Sequence, residues 1–217
     1  MRQPRKEAVR HCVNKTCKMS TAGLILSEMR RALEASGCAA VVDFLSGFDW
    51  AMPRRALDPG PRLDCLSWLP RCAEIAGEGW QSLAALLTAN SDALRWGQTY
   101  SSADFGPDFM RRYGWTEIFG TRGHFVNDRL AGGFLLLGPG VTYPDHHHVA
   151  EEVYVPLTGG TEWRMSGAEF AVRGAGEVIH HRSSVSHAMR TGAEPLLALY
   201  LWRGGPLDQR STIGRSG

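Results

Sequence analysis

The chain has 217 residues, 43% of them hydrophobic and 21% charged, an ordinary globular composition long enough for one sizeable core. Its formal charge of +2 hides a division, because residues 1–18 hold six Lys or Arg against Glu7 alone and the rest is net −3. No stretch approaches the roughly 18 to 20 apolar residues of a membrane span, and Leu24–Leu26 is too short for a secretory h-region, so a soluble, cytoplasmic protein is expected, with no membrane or nucleic-acid partner.

Residues 1–18 form a basic tail that lacks aromatic interleaving, which suits a solvated, poorly ordered arm better than an RNA contact. Met19 is a candidate natural start. The five cysteines, Cys12, Cys17, Cys38, Cys65 and Cys72, are odd in number and fit reduced thiols. His11, Cys12 and Cys17 imitate half a zinc site with no second half nearby.

A helical extension is predicted over 19–95. From Thr21 to Phe48, Met29, Leu33, Val41, Phe44, Leu45 and Phe48 recur at near-helical spacing, with Ser20 or Thr21 as N-cap and Gly37 as an interruption. Pro53, Pro59, Gly60 and Pro61 mark a loop, after which Leu63–Trp68 and Ile75–Leu94 return to helical patterning. These apolar faces need a sheet, or the same helices in a second subunit, so a homodimer is one expectation.

From Trp96 to the end, over 96–217, the pattern becomes short runs punctuated by Gly, Pro, Asn and Asp. Strands are predicted at Gln98–Ser102, Thr116–Phe119, His124–Asn127, Gly133–Leu137, Glu151–Leu157, Thr161–Met165, Phe170–Arg173, Glu177–His181, His187–Arg190 and Leu196–Trp202. Such spacing argues for an antiparallel sandwich or small barrel, a mainly β fold. No Gly-rich phosphate loop or serine nucleophile elbow is present, and no helix-turn-helix follows Trp202.

The stretch Gly140–Gly159, GVTYPDHHHVAEEVYVPLTG, carries the chemistry. On an extended strand side chains alternate between faces, so His146, His148, Glu152 and Tyr154 share a parity that His147 does not. A lone His-x-His is more often solvent-facing, but an added carboxylate and phenol of the same parity, between two glycines, favour a divalent transition metal with open coordination positions. His187 follows about thirty residues after the cluster and can return to it across a barrel, whereas His180 and His181 have opposite parities and read as satisfied surface or core histidines.

These residues resemble a known family. Gly140, His146, His148, Glu152 and Gly159 match the first cupin motif at every position. Of the second motif Gly176 and His187 fit, while Arg182 and Ser184 replace its proline and glycine and Thr191 its asparagine. The run Tyr143, His146, His148, Ala150-Glu151-Glu152 and Tyr154, with His187 and Trp202, resembles the cupin-type dimethylsulfoniopropionate lyases, and the helical front with this length resembles their DddL-like branch. The resemblance covers roughly 96–203 by motif. It implies a cupin barrel, a double-stranded β-helix or jelly roll, behind the helical extension. It also implies one divalent metal, zinc, iron(II) or manganese, on His148, Glu152, His187 and Tyr154 with His146 alongside, and Tyr154 as the catalytic base.

The implied reaction is β-elimination, in which a proton leaves the carbon next to the carboxylate and dimethyl sulfide departs, leaving acrylate. A metal on the carboxylate would stabilise the developing charge, and a nearby cation would hold a phenol as phenolate at neutral pH. The sulfonium calls for aromatic faces rather than a fixed anion that would trap it, and Tyr143 and Trp202, with His146, are the expected substrate contacts. Trp163, Tyr100, Trp115 and Tyr200 compete for that role. The alternatives are a metal-dependent cupin oxygenase acting on a small thiol or organic acid, and a non-catalytic small-molecule-binding cupin.

Overall fold

The computed structural model describes residues 19–214, so the basic tail, Cys12 and Cys17 lie outside it. Helix α1 spans Thr21–Ser36, its first turn capped by the Ser20 hydroxyl, which accepts the Gly23 N–H at 3.2 Å. It ends where Gly37 turns left-handed at φ 58°. Its buried stripe, Ile25, Leu26, Met29, Ala32 and Leu33, recurs at helical spacing, and each of its large side chains contributes about 1.5–3 kcal/mol by leaving water. α2 (Ala39–Phe44) follows at once. The helical patterning over Ile75–Leu94 is carried by α4 (Gln81–Ala89), preceded by α3 (Leu69–Ile75) and a turn through Gly79 at φ 83°. Among the described residues no helix is long and apolar enough to cross a membrane.

Behind the helices lie two sheets. The larger contains β1 (Trp96–Gly97), β2 (Tyr113–Gly120), β4 (Leu130–Leu137), β11 (Leu196–Arg203), β6 (Glu151–Pro156) and β9 (Ile179–His181) in that spatial order, with β3 (Phe125–Val126) added parallel to β2. The smaller runs β12 (Thr212–Ile213), β5 (Thr142–His147), β10 (His187–Arg190), β7 (Thr161–Met165) and β8 (Ala171–Arg173), and every pairing besides β2–β3 is antiparallel. This is the mainly β cupin architecture with N-terminal helices.

One face of the larger sheet takes the helices: Phe134, Leu136, Val153, Val155, Leu197, Leu199 and Leu201 share a core with Ile25, Met29, Leu33, Leu83 and Leu87. The opposite face, with Leu135, Tyr154, Ala198 and Tyr200, looks toward the smaller sheet and shares a second core with Tyr143, Trp163 and Met189. The helices therefore find their partner in the sheet. The strand predicted at Gln98–Ser102 is absent: pairing stops at Gly97, and Ser101 caps a helix, α5 (Ser102–Met110), through a reciprocal box with Asp104. α5 kinks at Gly106, φ 76°, before Pro107.

Candidate metal centre

Both sheets deliver side chains to the space between them. On the smaller sheet His187 lies directly opposite His146 on the neighbouring strand. On the larger, Glu152 pairs with His181 on one side and Trp202 on the other, and Tyr154 pairs with Tyr200. His148 sits in the turn between β5 and β6. All of these predicted residues are buried together except Trp202, which is half-buried, and His147 lies outside the set.

The imidazoles are oriented by one device used three times. The Nδ1 of His146 lies 2.9 Å from the Pro144 carbonyl, that of His148 lies 2.8 Å from Ala150 O, and that of His187 lies 2.9 Å from Val185 O. A carbonyl can only accept, so each Nδ1 carries the hydrogen, and it is the Nε2 of each ring that is left to face a ligand. His148 Nε2 is 3.0 Å and His187 Nε2 3.3 Å from the same Glu152 oxygen, and ligand atoms from these three residues lie within 4.8 Å of one another.

Lone pairs aimed at a carboxylate repel it unless a proton or a cation intervenes. His187 Nε2 is buried with no hydrogen-bond partner among the described residues. Two imidazole nitrogens and a carboxylate oxygen are a donor set for a first-row divalent ion, so the residues present fit the implied metal. His146 stands beside this triad, its ring 4.1 Å from His187, with Tyr143 stacked on it at 4.1 Å. The Trp202 indole N–H donates to the other oxygen of Glu152, and its ring lies 4.0 Å from His148. Trp202 therefore orients Glu152 as well as lining the space.

Electrostatics follow the geometry. Burial raises the Glu152 carboxyl, but the surrounding His148, His181 and His187 outweigh it and hold the group well below its usual range. Burial lowers His148, yet Glu152 more than compensates and leaves it raised. His146 is driven well below the ordinary histidine value by burial and by His187. Burial and then the charge of Glu152 push the Tyr154 phenol well above its usual value when no cation is present.

His181 contradicts its predicted role as a satisfied histidine. It is fully buried, stacked on His187 at 3.9 Å, with Nδ1 3.5 Å from Glu152 and neither nitrogen hydrogen-bonded among the described residues. Burial lowers it to about 4. Its parity matches Glu152 only through the cross-strand register of β6 and β9, which alternation within one strand does not reveal. His180 does find a partner, Glu151, at 2.6 Å.

His148 and Glu152 of the triad open onto a cavity of about 60 Å³ whose wall includes Tyr143, His146, Tyr154, Tyr200 and Trp202. Two charged residues not singled out in the sequence, Glu117 and Arg122, complete it. The only sequence signal for them is Glu117 itself, an acid inside a predicted strand, at a position sharing the parity of Trp115.

Comparison with known proteins places the chain as a whole. Two curated relatives match: dimethylsulfoniopropionate lyase DddQ of Ruegeria pomeroyi, 39% identical over 110 residues, covering 51% of this chain and 55% of that protein, and the putative dimethylsulfoniopropionate lyase DddL of Cereibacter sphaeroides, 33% identical over 126 residues, covering 57% and 52%. The matches thus span about half the length of each relative. Among solved structures, a chain from the crystal structures of the dimethylsulfoniopropionate lyases RdDddP and RnDddQII superposes with a TM-score of 0.82 at 28% identity, over 90% of this chain and 98% of that one. The crystal structure of DddQ from Ruegeria pomeroyi gives 0.80 at 28%, over 89% and 95%. The sequence profile of the dimethylsulfoniopropionate lyases matches residues 54–198, and the chain belongs to that family.

Proposed function

We propose that this protein is a metal-dependent carbon–sulfur lyase that cleaves dimethylsulfoniopropionate to dimethyl sulfide and acrylate by β-elimination. The observation that supports this most is the placement of Tyr154 two residues along β6 from Glu152, buried in the wall of the cavity that His148 and Glu152 of the His148–Glu152–His187 triad also line. Those three residues, with His146 and Tyr154 beside them, would hold the ion. When bound, it supplies positive charge that stabilises the electron-rich carboxylate side of the reacting substrate and favours the phenolate form of Tyr154.

The remaining work belongs to the protein. The Tyr154 oxygen takes the proton from the carbon next to the carboxylate; that C–H pair becomes the new double bond, and the carbon–sulfur pair leaves on sulfur as neutral dimethyl sulfide. Trp202, by donating to Glu152, keeps one carboxylate oxygen turned toward the triad. Tyr143, with its hydroxyl 2.8 Å from that of Tyr100 and its ring on His146, together with Trp202 provides aromatic substrate-facing wall.

Headspace detection of dimethyl sulfide from purified protein and dimethylsulfoniopropionate tests this directly. Release is expected without oxygen and is expected to stop when a chelator strips the metal. Oxygen-dependent consumption of substrate, or recovery of it unchanged, would contradict the assignment.

A further inference from the structure

The second charged pole of the cavity points to how the sulfonium end of the substrate is received, an inference that rests on the lyase reading above. Glu117 on β2 is 3% exposed, and its Oε2 has no hydrogen-bond partner among the described residues. It pairs across the sheet with Gly133, which pairs with Tyr200, which pairs with Tyr154, so all four positions share one row on the cavity-facing side. Gly133 has no side chain to intervene.

The chain goes out of its way to bring a cation back to this carboxylate. A bulge after Glu117 ends the regular register of β2 with β4, and the turn Gly120–Gly123 folds over so that the Arg122 N–H donates to Glu117 Oε1 at 2.6 Å. Gly120 sits at φ 144°, where a Cβ would lie 2.6 Å from that oxygen. The Arg122 guanidinium then lies 3.5 Å from Glu117 Oε2 and 4.8 Å from the centre of the Trp115 ring. That ring is itself fixed by a 2.9 Å bond from its Nε1 to Thr99. An aromatic face and a carboxylate already gathered around one cation suit a second cation, such as a sulfonium, in exchange for the first.

We propose that Trp115 and Glu117 form the seat of the substrate's sulfonium and that Arg122 occupies this seat as a displaceable stand-in until substrate arrives. Space argues for the exchange. The inner cavity is narrow, at about 60 Å³. Next to it lies a groove of about 1030 Å³ that shares Trp115, Glu117 and Arg122 as its boundary. The Arg122 side chain is 41% exposed and can turn into that groove, joining the two spaces. The exchange also answers the objection that a fixed anion would trap the substrate. One cation replaces another on Glu117, and once sulfur leaves as an uncharged sulfide, Arg122 reclaims the carboxylate.

The test uses the trimethylsulfonium ion as probe, titrated calorimetrically at mildly alkaline pH so that Glu117 stays ionised without its partner. Arg122→Met is expected to tighten binding and Glu117→Gln to weaken it, each by about tenfold, with Glu117→Asp intermediate. In turnover, Glu117→Gln is expected to raise KM for dimethylsulfoniopropionate about tenfold while kcat changes less than about threefold. A merely structural ion pair predicts the same direction for both variants; that result, or no change in either, would overturn the seat. Opposite shifts of the probe in a protein that releases no dimethyl sulfide would sustain the sulfonium seat and refute the lyase reading.

Discussion

Trp202 and His181 show how the candidate triad His148, Glu152 and His187 depends on neighbours that do not belong to it. The indole N–H of Trp202 holds one oxygen of Glu152, so Trp202→Phe keeps an aromatic ring beside His148 while removing the donor. A loss of metal affinity of about 10- to 100-fold is expected, read by competition with a chromophoric chelator. His181 makes a different contribution. Its folded value of about 4 lies below the ordinary 6.5, so the unfolded chain takes up this proton first as pH falls. Stability from this group is whole above pH 6.5 and is lost progressively toward about 4, by up to about 3 kcal/mol. His181→Gln in the chelator-treated protein is expected to flatten that part of the curve of Tm against pH; an unchanged slope would show that His181 is not held neutral.

At the scale of elements, the turn from Gly120 to Gly123 carries the sharpest expectation. Gly120→Ala places a Cβ against Glu117 and the Ala131 side chain, at 2.6 and 2.8 Å, at a backbone angle that side chains avoid. It should destabilise by about 2 kcal/mol or more, measured by urea unfolding, whereas Gly192→Ala, with nothing within 4 Å, should be nearly neutral. Legibility in the sequence also divides by element. The two ends of α1 are visible because Ser20 and Gly37 are local signals, and Thr161–Met165 and His187–Arg190 are visible because alternation and turn residues bound them. α5 is concealed because Gly106 and Pro107 sit within it, and its capping box at Ser101–Asp104 is the one signal that could have revealed it. The motif residues His146, His148, Glu152 and Tyr154 can be grouped by parity within one stretch, while His181 and the Glu117–Arg122 pair depend on pairings between distant strands.

The whole molecule is three layers, helices on a sheet on a second sheet, with the candidate metal centre in the inner gap and the helices closing the far face. We propose that residues 19–95 serve the 96–217 barrel as a buttress. Leu136, Val153, Leu197, Leu199 and Leu201 would face water without them. Expressed alone, 96–217 is expected to aggregate or to bind a hydrophobic dye strongly; a monodisperse, fully folded barrel would contradict this. The layers also join the chemistry to the fold, since each sheet contributes only part of the site and neither could assemble it alone. The central claim, that a buried phenol beside a bound ion takes the substrate proton, is tested most directly by measuring metal content and dimethyl sulfide release together in Tyr154→Phe. The account expects the ion to be retained and turnover to fall by about 10²- to 10⁴-fold. Turnover at the unsubstituted rate in a metal-replete Tyr154→Phe protein would contradict it.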